Sequence, residues 1–258
     1  MLKDCREEWY DSEKKVAVTL VDVTRAAQAL ARGHLCGPTA AHYLTKAVAA
    51  AALLGAEMEA EDETLIIQMK CSGPLGGFNV ECTSEGTLRG YTEKKILDAF
   101  DGLGTPKDKM VLGDKQFQIT RSVPGRILSQ GIAATLDGYL VGSLQRKACI
   151  YLEAAVNDEV EILEARGVLV ESLPDSKAMV SAFIPEKMSV ASRNILTQMG
   201  LPRAELRKTT PLTFACRCSP DRAIAMLGAL SDEEKKELPP TLDITCHMCG
   251  KIFTVKTR

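Results

Sequence analysis

The chain has 258 residues and a formal net charge of -2 at pH 7. This length allows a sizeable core and a second, smaller domain. The nearly balanced charge argues against a basic nucleic-acid surface or a polybasic membrane anchor, so we expect neither nucleic acid nor a membrane as a partner.

The amino-terminal segment is charged throughout and lacks the apolar core of a secretory signal peptide. The longest apolar stretch, residues 47–56, is too short to cross a bilayer and is better interpreted as part of a buried helix. Nine cysteines in such a chain indicate a reducing compartment, where thiols stay free or bind metal. We therefore expect a cytoplasmic protein.

The first predicted elements are a strand and then a helix, which follow each other within residues 16–30, with Asp22 or Thr24 as the helix cap. A second helix is predicted to begin at Pro38, with Thr39 in position to cap it. The second helix is rich in alanine, and its small side chains would let a sheet or another helix approach closely. We expect it to pack in the core.

The following part of the chain alternates short apolar runs with glycine-containing turns, a pattern that predicts β-strands. A helical stretch is predicted between the later strands, over residues 123–143. Together these elements predict an α+β class, with a mixed sheet and packed helices in an amino-terminal domain of residues 1–175. The predicted strands are residues 63–71, 76–83, 86–92, 109–114, 115–123 and 147–156.

Residues 176–211 are predicted to form a helical linker. The spacing of apolar residues is helical, but Pro185 and Pro202 interrupt it. Propensity alone would not hold such short helices, so this linker must dock on the first domain or stay partly mobile.

Residues 212–258 form the third predicted unit, a small carboxy-terminal domain. Ser219 can cap a helix that begins at Pro220, and Ser231 with Glu234 forms the S-x-x-E pattern of a capping box. Two short helices are therefore expected within this unit.

These helices separate two cysteine pairs, a C-x-C at Cys216 and Cys218 and a C-x-x-C at Cys246 and Cys249. The unit has few large apolar side chains, and four thiolates can bind one Zn²⁺ tetrahedrally and supply the missing stability. We predict that these four cysteines are the ligands of one zinc ion per chain. His247 could replace a cysteine, but with four thiols available we expect an exposed turn residue.

The sequence "FACRCSPDRAIAMLGALSDEEKKEL", followed by "LDITCHMCGKIFTV", resembles the zinc-binding tail of the thirty-three-kilodalton heat-shock chaperone family. The segments "AAAALLGAEM", "SGPLGGFNVE" and "RGY" occur in the order typical of that family, so the resemblance covers nearly the whole chain. The chain is shorter than many relatives through the linker.

The resemblance implies a redox-regulated, ATP-independent holdase that is not an enzyme and binds unfolding proteins under oxidative stress. The reduced, zinc-bound form would be inactive. Oxidation by hypochlorous acid, or by peroxide with heat, would form disulfides, release zinc, unfold the linker and yield an active homodimer. Joining the cysteines nearest in sequence gives the hypothetical pairs Cys216–Cys218 and Cys246–Cys249.

The remaining cysteines are expected to be small buried or half-buried apolar residues, with Cys5 the most exposed. His34 and His42 flank Cys36, but His42 would lie on a helix that Cys36 precedes, which disfavours a Cys-His nucleophile. The glycine-rich segment at 72–78 lacks the G-K-[ST] of a phosphate loop and is interpreted as a strand turn. The five cysteines outside the two tail pairs are Cys5, Cys36, Cys71, Cys82 and Cys149.

Two alternative functions stay open from the residues alone. A zinc ribbon that binds nucleic acid or protein constitutively would work regardless of oxidants and would carry clustered basic residues, which an acidic run at 232–234 disfavours. A thiol oxidoreductase would use Cys246 and Cys249 at the start of a helix, whereas an apolar, strand-like segment follows them here.

Overall fold

The computed structural model of the protein describes residues 4–174, 176, 178–185, 188, 191–228 and 230–256. These residues form two large sheets, a separate hairpin and several helices, which confirms the predicted α+β class. The strands are β1 (Cys5–Asp11), β2 (Val16–Asp22), β3 (Thr64–Cys71), β4 (Gly77–Thr83), β5 (Thr87–Thr92), β6 (Lys115–Val123), β7 (Arg126–Ala133), β8 (Lys147–Val156), β9 (Ile162–Ser172), β10 (Glu205–Pro211), β11 (Thr213–Phe214), β12 (Thr241–Thr245) and β13 (Ile252–Lys256).

The first sheet has five strands in the order β10-β1-β2-β9-β8, and the second has six in the order β11-β5-β4-β3-β6-β7. The β12 and β13 strands form the hairpin. Short 3-10 turns occur at Gly55–Glu57 and Val180–Phe183, and a π turn at Tyr139–Ser143. The helices are α1 (Thr24–Gly33), α2 (Pro38–Leu54), α3 (Asp108–Val111), α4 (Leu136–Gly138), α5 (Ser192–Gln198), α6 (Pro220–Gly228) and α7 (Asp232–Glu237).

Helix α2 forms the centre of the main core and contacts strands of both large sheets. Nearly all of its residues are buried, and Leu44, Leu53 and Leu54 are fully so. Its alanines let the two sheets approach the helix closely, because a methyl group takes up little space between two backbones. The predicted packing role of this helix is confirmed.

Asp22 accepts a hydrogen bond from the Thr24 amide at the start of α1, as predicted, whereas Thr39 does not cap α2. Carboxylates distant in sequence also cap the first turn of each helix. The Asp4 carboxylate accepts hydrogen bonds from the first-turn amides of Arg25 and Ala26 in α1. Asp101 accepts one from the Thr39 amide of α2 and another from Leu97. Helix-capping preferences favour an Asp or Thr next to the first turn. A carboxylate brought in by tertiary structure can accept hydrogen bonds from the same first-turn amides, which have no acceptor within the helix.

Replacing Asp101 with alanine is expected to destabilise the protein by about 1 to 2 kcal/mol, because the α2 amide at Thr39 loses its capping acceptor. Urea unfolding followed by circular dichroism measures this change. Asp98→Ala is the matched control from the same loop, since no hydrogen bond from Asp98 to either helix is present in the described part of the chain. An equal loss in both variants would contradict the capping role.

Three predicted elements were wrong. Residues 109–114 form no strand, and helix α3 covers the first three of them. Residues 123–143 were predicted to be helical, but residues 126–133 form strand β7, paired with β6 around a turn at Gly125, whose φ is +77°, and the helical turns are confined to residues 136–143. Positive φ is accessible to glycine, and a Pro-Gly pair is a strong turn former.

The third correction concerns the linker, whose last part is a strand. Residues 205–211 form β10, which pairs antiparallel with β1, a strand that the sequence did not predict. Within the rest of the linker the expected short helices occur at Val180–Phe183 and at α5. Of the residues that the structure describes, no helix is long and apolar enough to cross a membrane.

Candidate metal centre

The four tail cysteines lie in two loops that face each other. Cys216 and Cys218 occupy the extended segment between β11 and α6, and Cys246 and Cys249 the turn between β12 and β13. Ser219 accepts a hydrogen bond from the Arg222 amide at the start of α6, which fixes the end of the first loop. The predicted capping box of Ser231 opens α7.

The sulfur atoms of all four cysteines lie within 4.8 Å of one another. The Sγ atoms are 3.8 Å apart between Cys216 and Cys246, and 3.5 Å apart between Cys218 and Cys249. Four sulfurs bound tetrahedrally at about 2.3 Å from one ion would be about 3.8 Å apart. The cluster can therefore hold a single metal ion, and its soft donor set suits a thiophilic dication.

The apolar cluster of the tail is too small to account for its folding. Its buried members are Ala223, Phe253 and Val255, with a few half-buried neighbours that include Cys218 and Cys246. Three buried side chains contribute about 5 to 8 kcal/mol at most, against an ordering cost of about 1.5 kcal/mol per residue. A metal bound by the four sulfurs would supply the missing free energy.

The C-x-x-C turn docks against the end of α1. The Cys246 carbonyl accepts a hydrogen bond from the Gly250 amide, and Gly250 has a φ of +74°. A Cβ on Gly250 would lie 1.9 Å from the carbonyl oxygen of Gly33, and one on Gly33 would lie 2.6 Å from the carbonyl oxygen of Cys249. Both positions therefore need glycine to allow this close approach.

Replacing Gly250 with alanine is expected to separate the turn from α1, because the new methyl group would overlap the Gly33 carbonyl and the positive φ would be strained. Limited trypsin digestion should then cleave the tail of the reduced protein at least several-fold faster. Gly228→Ala is the control, since a Cβ there meets nothing within 4 Å. Equal cleavage of the two variants would contradict the docking argument.

A buried carboxylate connects the C-x-C loop to the second sheet. Glu81 accepts two hydrogen bonds from Arg89, at 2.9 Å and 2.6 Å, and one from Arg217 at 2.6 Å. The side chain of Glu81 is only 7% exposed and that of Arg89 is 16% exposed. Arg217 lies between the two cysteines of the loop, so this clamp of Glu81, Arg89 and Arg217 holds the loop on the sheet.

Arg89 also contacts the cluster directly, because its Nη1 atom lies 3.8 Å from the sulfur of Cys216. Burial by itself raises the pKa of Cys216, but hydrogen bonds from the Cys218 amide, the Arg89 guanidinium and neighbouring thiols outweigh it and lower this pKa to about 7. Burial raises the pKa of Cys218 and of Cys249. A bound dication would favour the thiolate at every one of these positions.

His247 is exposed, as predicted, and its ring packs edge-on against Tyr91 at 5.8 Å between centroids. His42 lies on α2, as predicted, and burial lowers its pKa to about 4. Cys36 and Cys82 are buried, and burial is the main cause of the raised pKa of each. Outside the tail, Cys5, Cys71 and Cys149 are all half-buried, so Cys5 is not set apart as an exposed cysteine.

The sequence did not point to the residues that anchor the cluster. Glu81, Arg89 and Gly33 come from three separate elements, and no spacing pattern relates them to the cysteines. The "RGY" segment that includes Arg89 was noted only as part of the family resemblance. Arg217 lies within the C-x-C motif, but no feature of the sequence identifies Glu81 as its partner.

Comparison with known proteins gives one consistent result. A family model described as Hsp33 protein matches residues 8–256. Proteins named 33 kDa chaperonin from Cyanothece sp. and Thermus thermophilus are 28% and 26% identical to this chain; the alignments cover 94% and 92% of this chain and 90% and 79% of those proteins.

A solved structure shares the fold. The crystal structure of a 33 kDa chaperonin, a heat shock protein 33 homolog from Thermotoga maritima, has a TM-score of 0.82. It covers 99% of this chain and 96% of that chain at 16% sequence identity. Because the family model spans nearly the whole sequence, this chain belongs to the Hsp33 family of chaperones.

Proposed function

We propose that the protein is a redox-regulated, ATP-independent holdase of the cytoplasm, which binds unfolding proteins during oxidative stress and has no catalytic turnover. The reduced form with one Zn²⁺ on Cys216, Cys218, Cys246 and Cys249 is the inactive state. Oxidation of these cysteines activates it, and the active form is a homodimer. Neither nucleic acid nor a membrane is a partner.

The observation that carries this proposal is the convergence of four sulfurs within 4.8 Å in a unit whose apolar core has three buried residues. Zn²⁺ at this cluster would supply on the order of 10 kcal/mol to folding and keep the sulfurs as thiolates, the form that reacts with oxidants. The same four atoms therefore both stabilise the tail and sense the oxidant.

The redox step removes the ligands. Two equivalents of a two-electron oxidant, such as hypochlorous acid or peroxide, take four electrons from the four thiolates and leave two disulfides. Disulfide sulfur is a poor ligand for a dication, so the free energy of metal binding is lost. The tail then unfolds, because its apolar cluster is too small to hold it.

Unfolding of the tail affects the linker, which we propose to be residues 176–211 between a core domain, 1–175, and the metal domain, 212–258. The helices of this segment have at most seven residues and β10 is mostly exposed, so the segment is held chiefly by packing on the first sheet, where it buries apolar residues such as Phe183, Ile195 and Leu196. Short elements of this kind do not hold by themselves once such packing is weakened. Their release would expose this apolar surface to clients.

The disulfides Cys216–Cys218 and Cys246–Cys249 remain our proposal for the oxidised form. In the reduced geometry the shortest sulfur contacts cross between the loops, but all four sulfurs are in reach of one another. After the metal leaves and the tail unfolds, proximity along the chain governs pairing. Peptide mapping that found mainly bridges between the two loops would contradict this pairing.

The function is tested by following zinc release and suppression of aggregation of a thermally unfolded model protein in one sample, before oxidation, after oxidation and after reduction. Release of about one Zn²⁺ per chain with a reversible gain of holdase activity is expected. Full activity in the reduced form, or zinc release without activity, would instead favour a constitutive zinc module that binds protein or nucleic acid.

A further inference from the structure

The tail covers one edge of the second sheet. Strand β5 has β4 on one side, and its other side is closed by β11, which is only two residues long. The amides of Thr213 and Ala215 donate to the carbonyls of Gly86 and Leu88. The next amide along this edge, that of Gly90, donates to the carbonyl of Met248 at 3.0 Å.

Met248 lies within the C-x-x-C turn, and Ala215 immediately precedes Cys216. Both ends of this cover are therefore attached to the metal cluster. The Gly90 carbonyl accepts a hydrogen bond from the ring of His34 at 2.8 Å, a contact that comes from the body of the protein and not from the tail. Loss of the cluster would thus leave most of the outward backbone groups of β5 without partners.

The segment that now occupies the edge shows what kind of peptide fits it. Leu212 is buried in the main core, Thr213 points outward, and Phe214 packs half-buried against the same core. The segment lies beside α1, and a cavity of about 330 Å³ adjoins it, lined in part by Asp4 and Arg25. The site accepts an extended chain with apolar side chains at alternate positions and has room for larger ones.

We propose that the outward edge of β5, at Gly86, Leu88 and Gly90, is a client-binding site that residues 212–215 and the C-x-x-C turn block in the resting protein. This inference rests on the proposed redox switch. An extended apolar segment of an unfolding client adds to the edge by backbone hydrogen bonds and places alternate side chains against α1. Backbone pairing of this kind requires little sequence specificity, which suits a protein that binds many clients.

The arrangement is autoinhibitory because residues 212–215 bind the β5 edge weakly by themselves and depend on contacts beyond the strand to stay there. A strand of two residues is not stable by itself. Its continuation is fixed by the Arg217 contact to Glu81 and by the metal cluster. Once these are lost, residues 212–215 are held mainly by Leu212, whose side chain is buried and whose amide donates to the Asp4 carbonyl, and a client segment can compete for the rest of the edge.

Residue-resolved hydrogen exchange tests the proposal, because alternate amides of β5 face opposite sides. The amides of Leu88 and Gly90 face the covered edge, and those of Thr87 and Arg89 face β4. Oxidation should speed exchange at Leu88 and Gly90 at least ten-fold and leave the other two nearly unchanged. Adding a thermally unfolded model protein should restore protection at Leu88 and Gly90.

A peptide with the sequence of residues 209–215, TTPLTFA, is the defined probe. It should protect the same two amides in the oxidised protein and compete with the unfolded model protein for binding. The peptide TTPSTSA, which lacks both apolar side chains, is the control and should do neither.

A backbone variant tests the cover in the reduced protein. Thr213→Pro removes the amide that donates to Gly86, so exchange at Leu88 should rise and less oxidant should be needed for activation. Thr213→Ser keeps this amide and should behave as the unchanged protein. Should the proline variant fail to fold, hydrogen exchange at Leu88 and Gly90 of the unchanged protein still tests whether the edge is the client-binding site.

Failure of this inference differs from failure of the proposed function. If oxidation produces holdase activity while Leu88 and Gly90 stay protected, or if clients bind without protecting them, the edge is not the client site. Protection that appears on oxidation without a client and rises with protein concentration would overturn it in favour of self-association. Absence of any holdase activity after oxidation would instead refute the redox switch itself.

Discussion

Replacing Cys249 with serine is expected to abolish stoichiometric metal binding and to unfold the tail of the reduced protein. Cys249 is the buried member of the four-sulfur cluster, and a structural zinc site contributes on the order of 10 kcal/mol. The small apolar cluster of the tail cannot replace such a loss. Metal content per chain, and trypsin cleavage within residues 216–256, measure the two effects.

The matched control is Cys71→Ser, at a half-buried cysteine outside the tail. Cys71 is only half-buried at the end of β3, so a serine hydroxyl at this position is not fully removed from water. This variant should keep full metal content and a protease-resistant tail. Under the proposed function, Cys249→Ser should also suppress aggregation without any oxidant. Full metal binding in Cys249→Ser would show that three sulfurs are enough and would contradict the four-ligand site.

Replacing Glu81 with glutamine is expected to lower the stability of the reduced protein by about 3 kcal/mol, because Arg89 and Arg217 would lose the one carboxylate between them. The melting temperature should fall by roughly 6 to 12 °C. Release of metal to a chelator should also be faster, since the C-x-C loop is no longer held on the sheet.

The control for this variant is Glu13→Gln, which removes an exposed ion pair with Arg203 whose side chains are 67% and 78% exposed. Exposed pairs contribute less than about 1 kcal/mol, so the melting temperature should hardly change. A similar small change in Glu81→Gln would show that the clamp does not stabilise the loop.

The convergence of the four cysteines could be predicted from sequence because each pair is local. Cys216 and Cys218 are two residues apart, Cys246 and Cys249 three, and the helices between the pairs have caps that lie next to them in sequence. The clamp of Glu81, Arg89 and Arg217 could not be predicted, because these residues meet only when the fold places β4, β5 and the tail next to one another. Contacts between distant segments leave no spacing pattern.

The error at β7 has a physical cause of the same kind. Ile132, Leu136 and Leu140 are spaced four residues apart, which favours a helix. The β7 strand lies at the edge of its sheet, so residues such as Ile127 and Ile132 are exposed and the two-residue alternation of a half-buried strand is missing. Strand β10 is also an edge strand with mostly exposed residues, and its sequence shows no strand periodicity either.

The pairing of β10 with β1 bears on how quickly the resting state returns. When the tail is reduced again, β10 pairs with β1 and brings the C-x-C pair, which follows Pro211, close to its final position. Collapse and pairing of a segment of this size take on the order of 10 to 100 µs, and closing the spacer of residues 219–245 takes less. Disulfide reduction takes seconds to hours. Under the proposed switch, the supply of reductant and not chain folding sets the duration of activity. After a brief exposure to oxidant, the protein therefore stays in its active form until reductant is available again.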